Sequence, residues 1–467
     1  MAQIGMLGLG TMGAALALNI AEKGYSVAAY NRSSGATERL MARAGDLAPR
    51  ITPCDSLPAL ADAIEPPRSV IMLVPAGAPV DDTIPPLREV LGLDGLIIDA
   101  GNANFHDTVR RAKAASAAGA RFLGIGVSGG EDGARHGPSI MGGGDKSAWE
   151  DVAPILEAIS AKFKGQPCAA WFGTDGAGHF VKTVHNGIEY ADMQMIAEVY
   201  GLMHNGLRLS AAEISDTFGR WNEGLLASYL IEISSEVAGA TDSKTGKPIL
   251  DVILDRAGQK GTGRWTAIEA LHLAAPATTI EAAVAARNVS ARLEERQMGG
   301  EIFGANIEAL TRTDGLVDDL ERALIAGKIA CYAQGFGLLE QASNAFGWKL
   351  PLPKVAEVWR AGCIIRSDML DDMAAALDEA PGRNLMFGPT FSAHLQTCQS
   401  SLRRVLSEAT LSGQSVPALS AALAYFDGMR VTRGDANMIQ GLRDFFGRHG
   451  FERLDAPGQH HGPWAES

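Results

Sequence analysis

The chain has 467 residues, which is enough for two or three domains with large buried cores. It is 46% hydrophobic and 20% charged, and its 54 acidic residues against 41 lysines and arginines give a formal net charge of −13. An acidic chain without a basic run is a poor candidate for binding nucleic acid or an anionic membrane surface, so we expect neither partner. An anionic ligand would need basic residues that converge locally in one site.

The cysteines and the N-terminal residues indicate a cytoplasmic protein. The five cysteines are odd in number, scattered and without a CxxC pair, a pattern typical of reduced thiols rather than of disulfides or a zinc site. The apolar residues 1–20 lack the basic segment that opens a signal peptide. No run of about 18 apolar residues predicts a membrane span.

From residue 3 to about 173, short apolar runs alternate with helical segments. The runs are rich in Ile, Val or Leu, are followed by glycine or polar turns, and predict strands over residues 3–7, 26–30, 69–73, 96–99 and 121–126. Strands separated by helices predict an α/β domain with a parallel, doubly wound sheet of the Rossmann type.

From about residue 179 the strand pattern ends, and the sequence predicts a large all-α domain. Helices are predicted over residues 180–203, 278–297, 318–346 and 436–447. The tail from Asp455 contains Pro, Gly, His and Trp, which exclude a regular helix. It is therefore predicted to be irregular, either disordered or an arm docked on another surface.

A glycine motif follows the first strand and opens a helix. Its members are Gly8, Leu9, Gly10, Thr11, Met12 and Gly13. Glycine is needed here because the backbone must turn tightly and approach a pyrophosphate on the helix N-terminus. The strand before it and the helix after it predict a dinucleotide site rather than a turn that only packs a helix on a strand.

The end of the second strand bears on the choice of dinucleotide. It carries Asn31, Arg32 and Ser33, where an acid would hold the ribose hydroxyls of NAD. An arginine with small polar neighbours instead suits the additional phosphate of NADP. The alternative is that Arg32 is a solvated loop residue, but the sequence favours NADP.

Small and polar residues follow two later strands, at the edge where open parallel sheets bind ligands. Asn102 follows the strand over 96–99, and Ser128, Gly129 and Gly130 follow the strand over 121–126. These residues would let a substrate lie close to backbone amides. Two tight structural turns are the alternative.

The helix predicted from residue 180 places Lys182, His185, Asn186 and Glu189 on one stripe, beside an apolar stripe for the core. Lys182 and Glu189 are two turns apart, about 10 Å along the axis, and can act on different atoms of one small substrate. Alone, such a stripe is more often a solvated helix face. Its place directly after the dinucleotide-binding domain favours a catalytic interpretation.

Residues 257–265, AGQKGTGRW, superficially match the loop of nucleoside triphosphatases. The match fails because Arg264 and Trp265 replace the lysine and the hydroxyl residue of that motif. A glycine loop with Lys260, Thr262 and free amides still suits a phosphate monoester. Further cationic candidates, each by default a surface charge, are Arg287, Arg443 and His449.

At these motifs the chain resembles the long form of the 6-phosphogluconate dehydrogenase family, the decarboxylating enzymes of the pentose phosphate pathway. The resemblance runs nearly end to end and includes GLGTMG, DAGNANFHDT, GVSGGEDGARHGPSIM, GHFVKTVHNGIEYADMQMIAE, AGQKGTGRWT, WRAGCIIRS and the PGQHHGPW tail. It implies oxidative decarboxylation of 6-phospho-D-gluconate to D-ribulose 5-phosphate and CO2, with reduction of NADP and without a metal. It also implies a homodimer with shared active sites.

The resemblance implies a role for each matching residue. Lys182 would be the general base and Glu189 the general acid. The contacts to the sugar acid would be Asn102, Ser128, Gly129, Gly130, His185 and Asn186. The phosphate would be held by Tyr190, Lys260, Thr262 and Arg287, with Arg443 and His449 arriving from a second subunit. The cofactor contacts in the glycine motif and at residues 31–33 would be joined by Val74, Pro75, Ala76 and Asn102.

One departure concerns cofactor choice. Where the family usually has a lysine after the third strand, this chain has Pro75. Loss of that charge leaves Arg32 to carry more of the discrimination, so NADP is expected with NAD as the alternative.

Taken together, we predict a dinucleotide-binding domain over 1–177, an all-helical substrate and dimerisation domain over 178–435, and a C-terminal helix and tail that reach the partner subunit over 436–467. Short β-hydroxyacid dehydrogenases share the resemblance around GLGTMG and GAGHFVKTVHN, but they lack the second helical half and the GTGRWT loop. A cofactor-binding regulator without turnover would have no need of both Lys182 and Glu189.

Overall fold

A computed structural model describes residues 1–310 and 315–466 of the chain. Its strands are β1 (Ile4–Leu7), β2 (Val27–Tyr30), β3 (Ile51–Cys54), β4 (Ser69–Met72), β5 (Leu96–Asp99), β6 (Arg121–Val127), β7 (Ile140–Gly144), β8 (Lys162–Phe163), β9 (Gln166–Pro167), β10 (Ala169–Trp171), β11 (Phe451–Glu452) and β12 (Gln459–His460). Its α-helices are α1 (Thr11–Glu22), α2 (Ser34–Ala44), α3 (Leu57–Ala63), α4 (Ala78–Leu91), α5 (Phe105–Ala117), α6 (Gly130–His136), α7 (Lys146–Ile159), α8 (Ala177–Gly201), α9 (Ala211–Trp221), α10 (Tyr229–Gly239), α11 (Thr262–His272), α12 (Thr278–Ser290), α13 (Leu293–Phe303), α14 (Leu316–Phe346), α15 (Leu352–Val358), α16 (Met369–Glu379), α17 (Pro389–Leu411), α18 (Pro417–Arg430) and α19 (Ala436–Gly447).

The first part of the chain forms one sheet of eight strands in the order β10-β7-β6-β5-β4-β1-β2-β3. All five predicted strands are present in it, with ends that differ by a residue or less. Every neighbouring pair is parallel except β6 with β7. The predicted class, a Rossmann-type sheet followed by a large helical domain, is confirmed.

Three strands of this sheet were not predicted, and each lacks the usual pattern of a strand. β3 reads ITPC, with its two middle residues exposed at the sheet edge. β7 reads IMGGG, and glycine has a low propensity for strands. β10 has three residues, too few to show a period.

The order of the strands creates the binding edge. The chain moves outward from β1 in one direction through β2 and β3, and in the other through β4, β5 and β6. The crevice between β1 and β4 is the topological switch point, where ligands of open α/β sheets bind outside the carboxyl ends of the strands. The glycine motif follows β1, and residues 74–76 follow β4.

The helical half is organised around two long helices, α8 with 25 residues and α14 with 31. The helices predicted over 180–203, 318–346 and 436–447 are present as α8, α14 and α19. The single helix predicted over 278–297 is wrong, because α12 ends at Ser290 and α13 begins at Leu293. Arg292 between them has a non-helical backbone (φ −91°, ψ 59°), and no proline or glycine marks this break in the sequence.

A buried carboxylate ties α8 to α18. Glu198 is 3% exposed and accepts hydrogen bonds from the amides of Ala418 (2.8 Å) and Leu419 (2.9 Å), in the first turn of α18. Gln194 donates a third bond of 3.0 Å. Burial outweighs these bonds and raises the pKa of Glu198 to about 7. Glu198 therefore caps the N-terminus of α18, although it lies far from that helix in the sequence, and its charge depends on pH near neutrality.

This cap predicts a pH-dependent stability. Because the pKa of Glu198 is higher in the folded than in the unfolded chain, its contribution is complete below pH 4.5 and is lost as the pH rises through about 7. The loss is at most about 1.4 kcal/mol per pH unit. Glu198→Gln should flatten this slope in urea-unfolding midpoints measured from pH 5 to 8. Glu150→Gln, at an exposed position of α7, should leave it unchanged, and parallel curves for wild type and Glu198→Gln would contradict the assignment.

The chain divides into compact units over 1–422 and 423–467. In the second unit, the tail folds back on the fully buried Asp444 of α19. This carboxylate accepts bonds from the backbone amides of Gly450 and Gly462 (both 2.9 Å) and lies 2.7 Å from His461 Nδ1 and 2.9 Å from Trp464 Nε1. The tail from Asp455 was predicted to be irregular. Its residues Gln459–His460 form β12, which pairs antiparallel with β11 just before the tail, and both strands are too short for a sequence pattern.

All five cysteines are free thiols, in agreement with the predicted absence of a disulfide framework, and all five are buried. Across the described ranges, no helix combines the length and hydropathy that crossing a lipid bilayer requires.

Candidate active site

A buried lysine lies at the centre of the candidate site. Lys182, in the second turn of α8, is 6% exposed. Its Nζ donates to Ser128 Oγ at 3.0 Å and to Asn186 Oδ1 at 2.8 Å, and it lies 3.4 Å from His185 Nδ1. His185 Nε2 lies 3.3 Å from the same Ser128 hydroxyl. The predicted stripe on α8 therefore faces the end of β6 and is not solvated.

Glycines allow α8 to lie this close to the sheet. A Cβ atom at Gly126 in β6 would overlap Cβ and Cγ of Lys182, and one at Gly178 would overlap the backbone of β7. The missing side chains bring the first turns of α8 directly against β6 and β7. Lys182 thus reaches the hydroxyl of Ser128 because Gly126 leaves room for its stem.

Burial shifts the pKa values of the amine and the carboxyl in this cluster in opposite directions. Burial lowers the pKa of Lys182 and, together with the charge of Lys182, holds the pKa of His185 well below its usual value. Burial raises the pKa of Glu189, although Lys182 and Arg287 act to lower it. His185 Nδ1 lies 3.8 Å from Glu189 Oε2, so imidazole and carboxyl are adjacent. The arrangement holds an amine that can lose its proton close to a carboxyl that can keep one.

Ser128, Gly129, Gly130 and Asn102 lie at the ends of β6 and β5, as predicted. Ser128 is buried, whereas Gly130 and Asn102 are exposed at the same edge. Gly129 has φ +107°, and a Cβ atom there would collide with the carbonyl of Gly362. The turn after β6 therefore needs glycine to bring its backbone beside Lys182.

The predicted phosphate residues also come together. Tyr190 is 6% exposed, and the guanidinium carbon of Arg287 lies 3.6 Å from its ring centroid. The amide of Lys260 donates to the Tyr190 hydroxyl at 3.4 Å. Thr262 is buried and begins α11, whose N-cap, Gly261, has a left-handed backbone (φ +97°). A guanidinium, an ammonium, a hydroxyl and a helix N-terminus are thus available to one phosphate group.

Seven of the predicted dinucleotide residues line one cavity of about 640 Å³, namely Gly8, Gly10, Asn31, Arg32, Ser33, Val74 and Pro75. Its lining does not include the other predicted residues, which are Leu9, Thr11, Met12, Gly13, Ala76 and Asn102. It is bounded by the glycine motif on one side, residues 31–33 on the second and Val74 and Pro75 on the third. Gly8 has φ +94°, and a Cβ atom there would collide with the carbonyl of Leu73, whereas a Cβ at Gly10 would meet no atom within 4 Å. The tight turn at Gly8 and the open space at Gly10 fit a pyrophosphate on the N-terminus of α1.

A second cavity of about 540 Å³ lies on the other side of Arg32. Its lining includes Thr37, whose buried hydroxyl has no hydrogen-bond partner among the described residues. Glu38 and Asp55 line the same cavity. Arg32 and Thr37 could hold a phosphate here, but the two acids weaken the positive field that would attract it.

Arg443 and His449 belong to the unit over 423–467. Arg443 is exposed on α19 and donates to Gln440 Oε1 at 3.1 Å. His449 is exposed after α19 and packs against Phe446 with a ring-centroid distance of 6.0 Å. Both side chains are open to solvent within this unit.

Two groups of site residues were missed from sequence. Trp359 packs against His185 at a ring-centroid distance of 5.7 Å, and burial raises the pKa of the nearby Cys363 thiol to about 12. Asp82 and Thr83 of α4 line the dinucleotide cavity. The runs that carry them, WRAGCIIRS and AGAPVDDTI, match the family pattern, but only the folded chain shows what they contact.

Comparison with known proteins covers the whole chain. A model described as the NAD binding domain of 6-phosphogluconate dehydrogenase matches residues 3–173, and a model of the C-terminal domain of 6-phosphogluconate dehydrogenase matches residues 178–464. Two relatives from Bacillus subtilis (strain 168), named NAD(+)-dependent and NADP(+)-dependent decarboxylating 6-phosphogluconate dehydrogenases, are 43% identical over 467 residues and 45% identical over 465. Each alignment covers 99% of this chain and 99% of the relative.

A solved structure of a 6-phosphogluconate dehydrogenase has the same fold as this chain. The 6-phosphogluconate dehydrogenase of Plasmodium falciparum has a TM-score of 0.95 and 39% identity, over 99% of this chain and 100% of that one. That enzyme was studied in its apo form, with its cofactor NADP+ and with its substrate 6-phosphogluconate.

Proposed function

We propose, from the premise that this chain belongs to the 6-phosphogluconate dehydrogenase family, that it converts 6-phospho-D-gluconate to D-ribulose 5-phosphate and CO2 with reduction of NADP. One observation carries the proposal: the buried amine of Lys182 is close to Glu189, and burial shifts their pKa values in opposite directions. Such opposite shifts favour the amine as a base and the carboxyl as an acid. In this role the enzyme works in the pentose phosphate pathway, and we infer that it is cytoplasmic.

Lys182 is proposed to act first as a general base. With its pKa lowered by burial, the amine is available unprotonated to take the proton of the C3 hydroxyl. Ser128 and Asn186 hold its Nζ in place. NADP, when bound, accepts the hydride that leaves C3, so the product of this step is a 3-keto acid.

Decarboxylation then uses Lys182 and Glu189, each in its protonated form. Lys182, now an ammonium, donates a hydrogen bond to the C3 carbonyl, and its proton passes to that oxygen as the C1–C2 bond breaks and C1 leaves as CO2, which gives an enediol. Glu189, whose pKa burial raises, gives its proton to the former C2, which becomes C1 of the product, while Lys182 takes back the hydroxyl proton of the enediol. The carboxyl is regenerated when Lys182 returns its extra proton through the site. These steps require no metal ion.

The substrate would be fixed at both ends. Asn102, Gly129, Gly130 and His185 are proposed to contact the carbon chain next to Lys182. The cluster around Tyr190 and Arg287 would bind the phosphate, supported by the stacking distance of 3.6 Å that holds the guanidinium in place. Among the cofactor contacts, Leu9, Thr11, Met12, Gly13, Asn31, Ser33 and Ala76 complete the proposed set.

A homodimer would complete the active site. α19 exposes a continuous apolar face, formed by Met438, Ile439, Leu442, Phe445 and Phe446. A patch of this size on an isolated chain is typical of a protein interface. We propose that a second subunit covers it and that Arg443 and His449 reach the partner's phosphate site. The proposed domains are accordingly 1–177, 178–435 and 436–467.

Absorbance at 340 nm tests the reaction directly. The purified enzyme should reduce NADP on addition of 6-phosphogluconate and release one CO2 for each NADPH, with EDTA present throughout. Gluconate without the phosphate is the matched control and should be a much poorer substrate, because it leaves Tyr190 and Arg287 unused. Reduction of NADP without CO2 release would contradict the decarboxylating reaction.

Cofactor choice should depend on Arg32. Arg32 lines both cavities, and its guanidinium is the proposed partner of the additional phosphate of NADP. Removing a charged hydrogen bond of this kind costs about 1.5–3 kcal/mol, so Arg32→Ala should raise the KM for NADP by roughly 10- to 100-fold. Arg39→Ala, at an exposed position of α2, serves as control.

The same variant should leave the KM for NAD nearly unchanged, because NAD lacks that phosphate. Steady-state kinetics with both cofactors measures the two effects together. An equal rise in both KM values would show that Arg32 shapes the loop and does not read the phosphate.

A further inference from the structure

We propose that His106, Glu269 and His272 form a binding site for a divalent transition-metal cation, outside the site described above. His106 lies in the first turn of α5, and Glu269 and His272 lie in the last turn of α11. Over residues 1–310 and 315–466, this is the one group of three or more His, Cys, Asp or Glu side chains whose ligand atoms converge. The proposed reaction does not use this site.

The distances suit a small cation with nitrogen and oxygen ligands. One ligand atom from each side chain lies within 4.8 Å of the other two. Glu269 Oε1 is 2.8 Å from His106 Nε2 and 3.4 Å from His272 Nδ1. Neighbouring ligands on a tetrahedral zinc ion, with bonds of about 2.0–2.1 Å, are about 3.3 Å apart. Small side-chain rotations would therefore bring all three ligands to bonding distance.

The burial of the three side chains gives the site a rigid base and an open entrance. The Glu269 side chain is 5% exposed, whereas those of His106 and His272 are 55% and 66% exposed. The helix that carries Glu269 is fixed one turn earlier, where Thr266 donates to the carbonyl of Thr183 in α8 at 2.7 Å. A cation could enter from solvent, and water would complete its coordination.

The ligand types restrict the metal. Imidazole nitrogens favour Zn²⁺, Co²⁺, Ni²⁺ and Cu²⁺, whereas Mg²⁺ and Ca²⁺ prefer sets of oxygen ligands. The Glu-x-x-His spacing on α11 places both side chains on one helix face, as in the metal sites of helical bundles. Without a cation, the two imidazoles compete for the same carboxylate oxygen.

Such a cation would cross-link two parts of the molecule. α5 follows β5 of the sheet, while α11 begins at Thr262 beside the phosphate cluster. A metal held by both helices is bound only when they are together. It should therefore stabilise the folded chain in proportion to its affinity.

Binding of Co²⁺ to the full-length, tag-free protein tests the site. We expect one visible-absorbing Co²⁺ per chain, displaced by one equivalent of Zn²⁺. His106→Ala and His272→Ala should each weaken Co²⁺ binding by at least about tenfold, the lower limit for losing even an outer-sphere partner of a metal site. His136→Ala is the matched control, because His136 is an exposed histidine beside a single carboxylate, Asp132, at 3.7 Å.

A second measurement separates binding from folding. His106 also contacts the buried Glu269, so each variant is compared with its own melting temperature in EDTA. Zn²⁺ should raise the melting temperature of wild type and leave that of each variant unchanged. Co²⁺ binding that is absent in wild type, or unchanged in both variants, would overturn the site. Turnover in EDTA tests the proposed reaction separately, because that reaction uses no metal.

Discussion

Lys182→Met is expected to lower kcat by at least about 10³-fold, because this one side chain takes the C3 hydroxyl proton in the oxidation and returns it to the C3 oxygen in the decarboxylation. Methionine keeps the apolar stem that packs beside Gly126 but cannot accept or return a proton. Ser128 and Asn186 lose their common partner, but both are polar groups that water can satisfy. The binding of NADP and 6-phosphogluconate should therefore change far less than turnover.

Single-turnover kinetics and equilibrium binding measure the two effects separately. Lys146→Met is the matched control, because Lys146 is an exposed lysine on α7, 67% accessible at its side chain. Normal turnover by Lys182→Met would remove the proposed base. A variant that neither binds nor turns over would assign Lys182 to binding, and that result also contradicts the mechanism.

The largest effect on stability is expected from Lys328→Met. Lys328 of α14 and Asp192 of α8 form an ion pair of 3.0 Å, with side chains 0% and 2% exposed. Lys328 also donates to Ser228 Oγ at 3.3 Å. Removing the ammonium leaves a buried carboxylate without its counter-charge, which costs about 3–5 kcal/mol of unfolding free energy. The midpoint of urea unfolding should fall accordingly.

Two further variants test whether the unpaired charge of Asp192 causes the loss of stability. Asp192→Asn combined with Lys328→Met should recover part of the lost stability, because no unpaired charge stays buried. Lys354→Met removes a partly exposed pair with Glu357, and its effect should stay within about 1 kcal/mol. Equal losses for Lys328→Met and Lys354→Met would mean that water reaches Asp192.

The sequence could predict the parts of the fold that rest on local patterns. β1, β2 and the glycine motif lie next to one another in the chain, and each shows its own signal. β7 was missed because its glycines serve the approach of α8, a tertiary requirement that lowers the propensity for a strand. The break between α12 and α13 was missed because Ala291 and Arg292 are both compatible with a helix.

The candidate active site was likewise predictable only where its residues are close together in the sequence. Lys182, His185, Asn186 and Glu189 share one helix, so their spacing was enough to place them together. The stacking of Arg287 on Tyr190, almost a hundred positions away, and the unbonded hydroxyl of Thr37 depend on how the chain folds. His106, Glu269 and His272 come from two distant helices, and no local pattern connects them.

The glycine-lined contact of α8 with β6 has a consequence for motion. The connection from β10 to α8 is short, from Trp171 to Ala177, and the first turns of α8 lie against β6 and β7. A hinge at this junction would pull the Lys182 amine away from the Ser128 hydroxyl. We therefore expect the sugar acid to enter without a change at this junction, so that Lys182 and Ser128 stay together before and after binding.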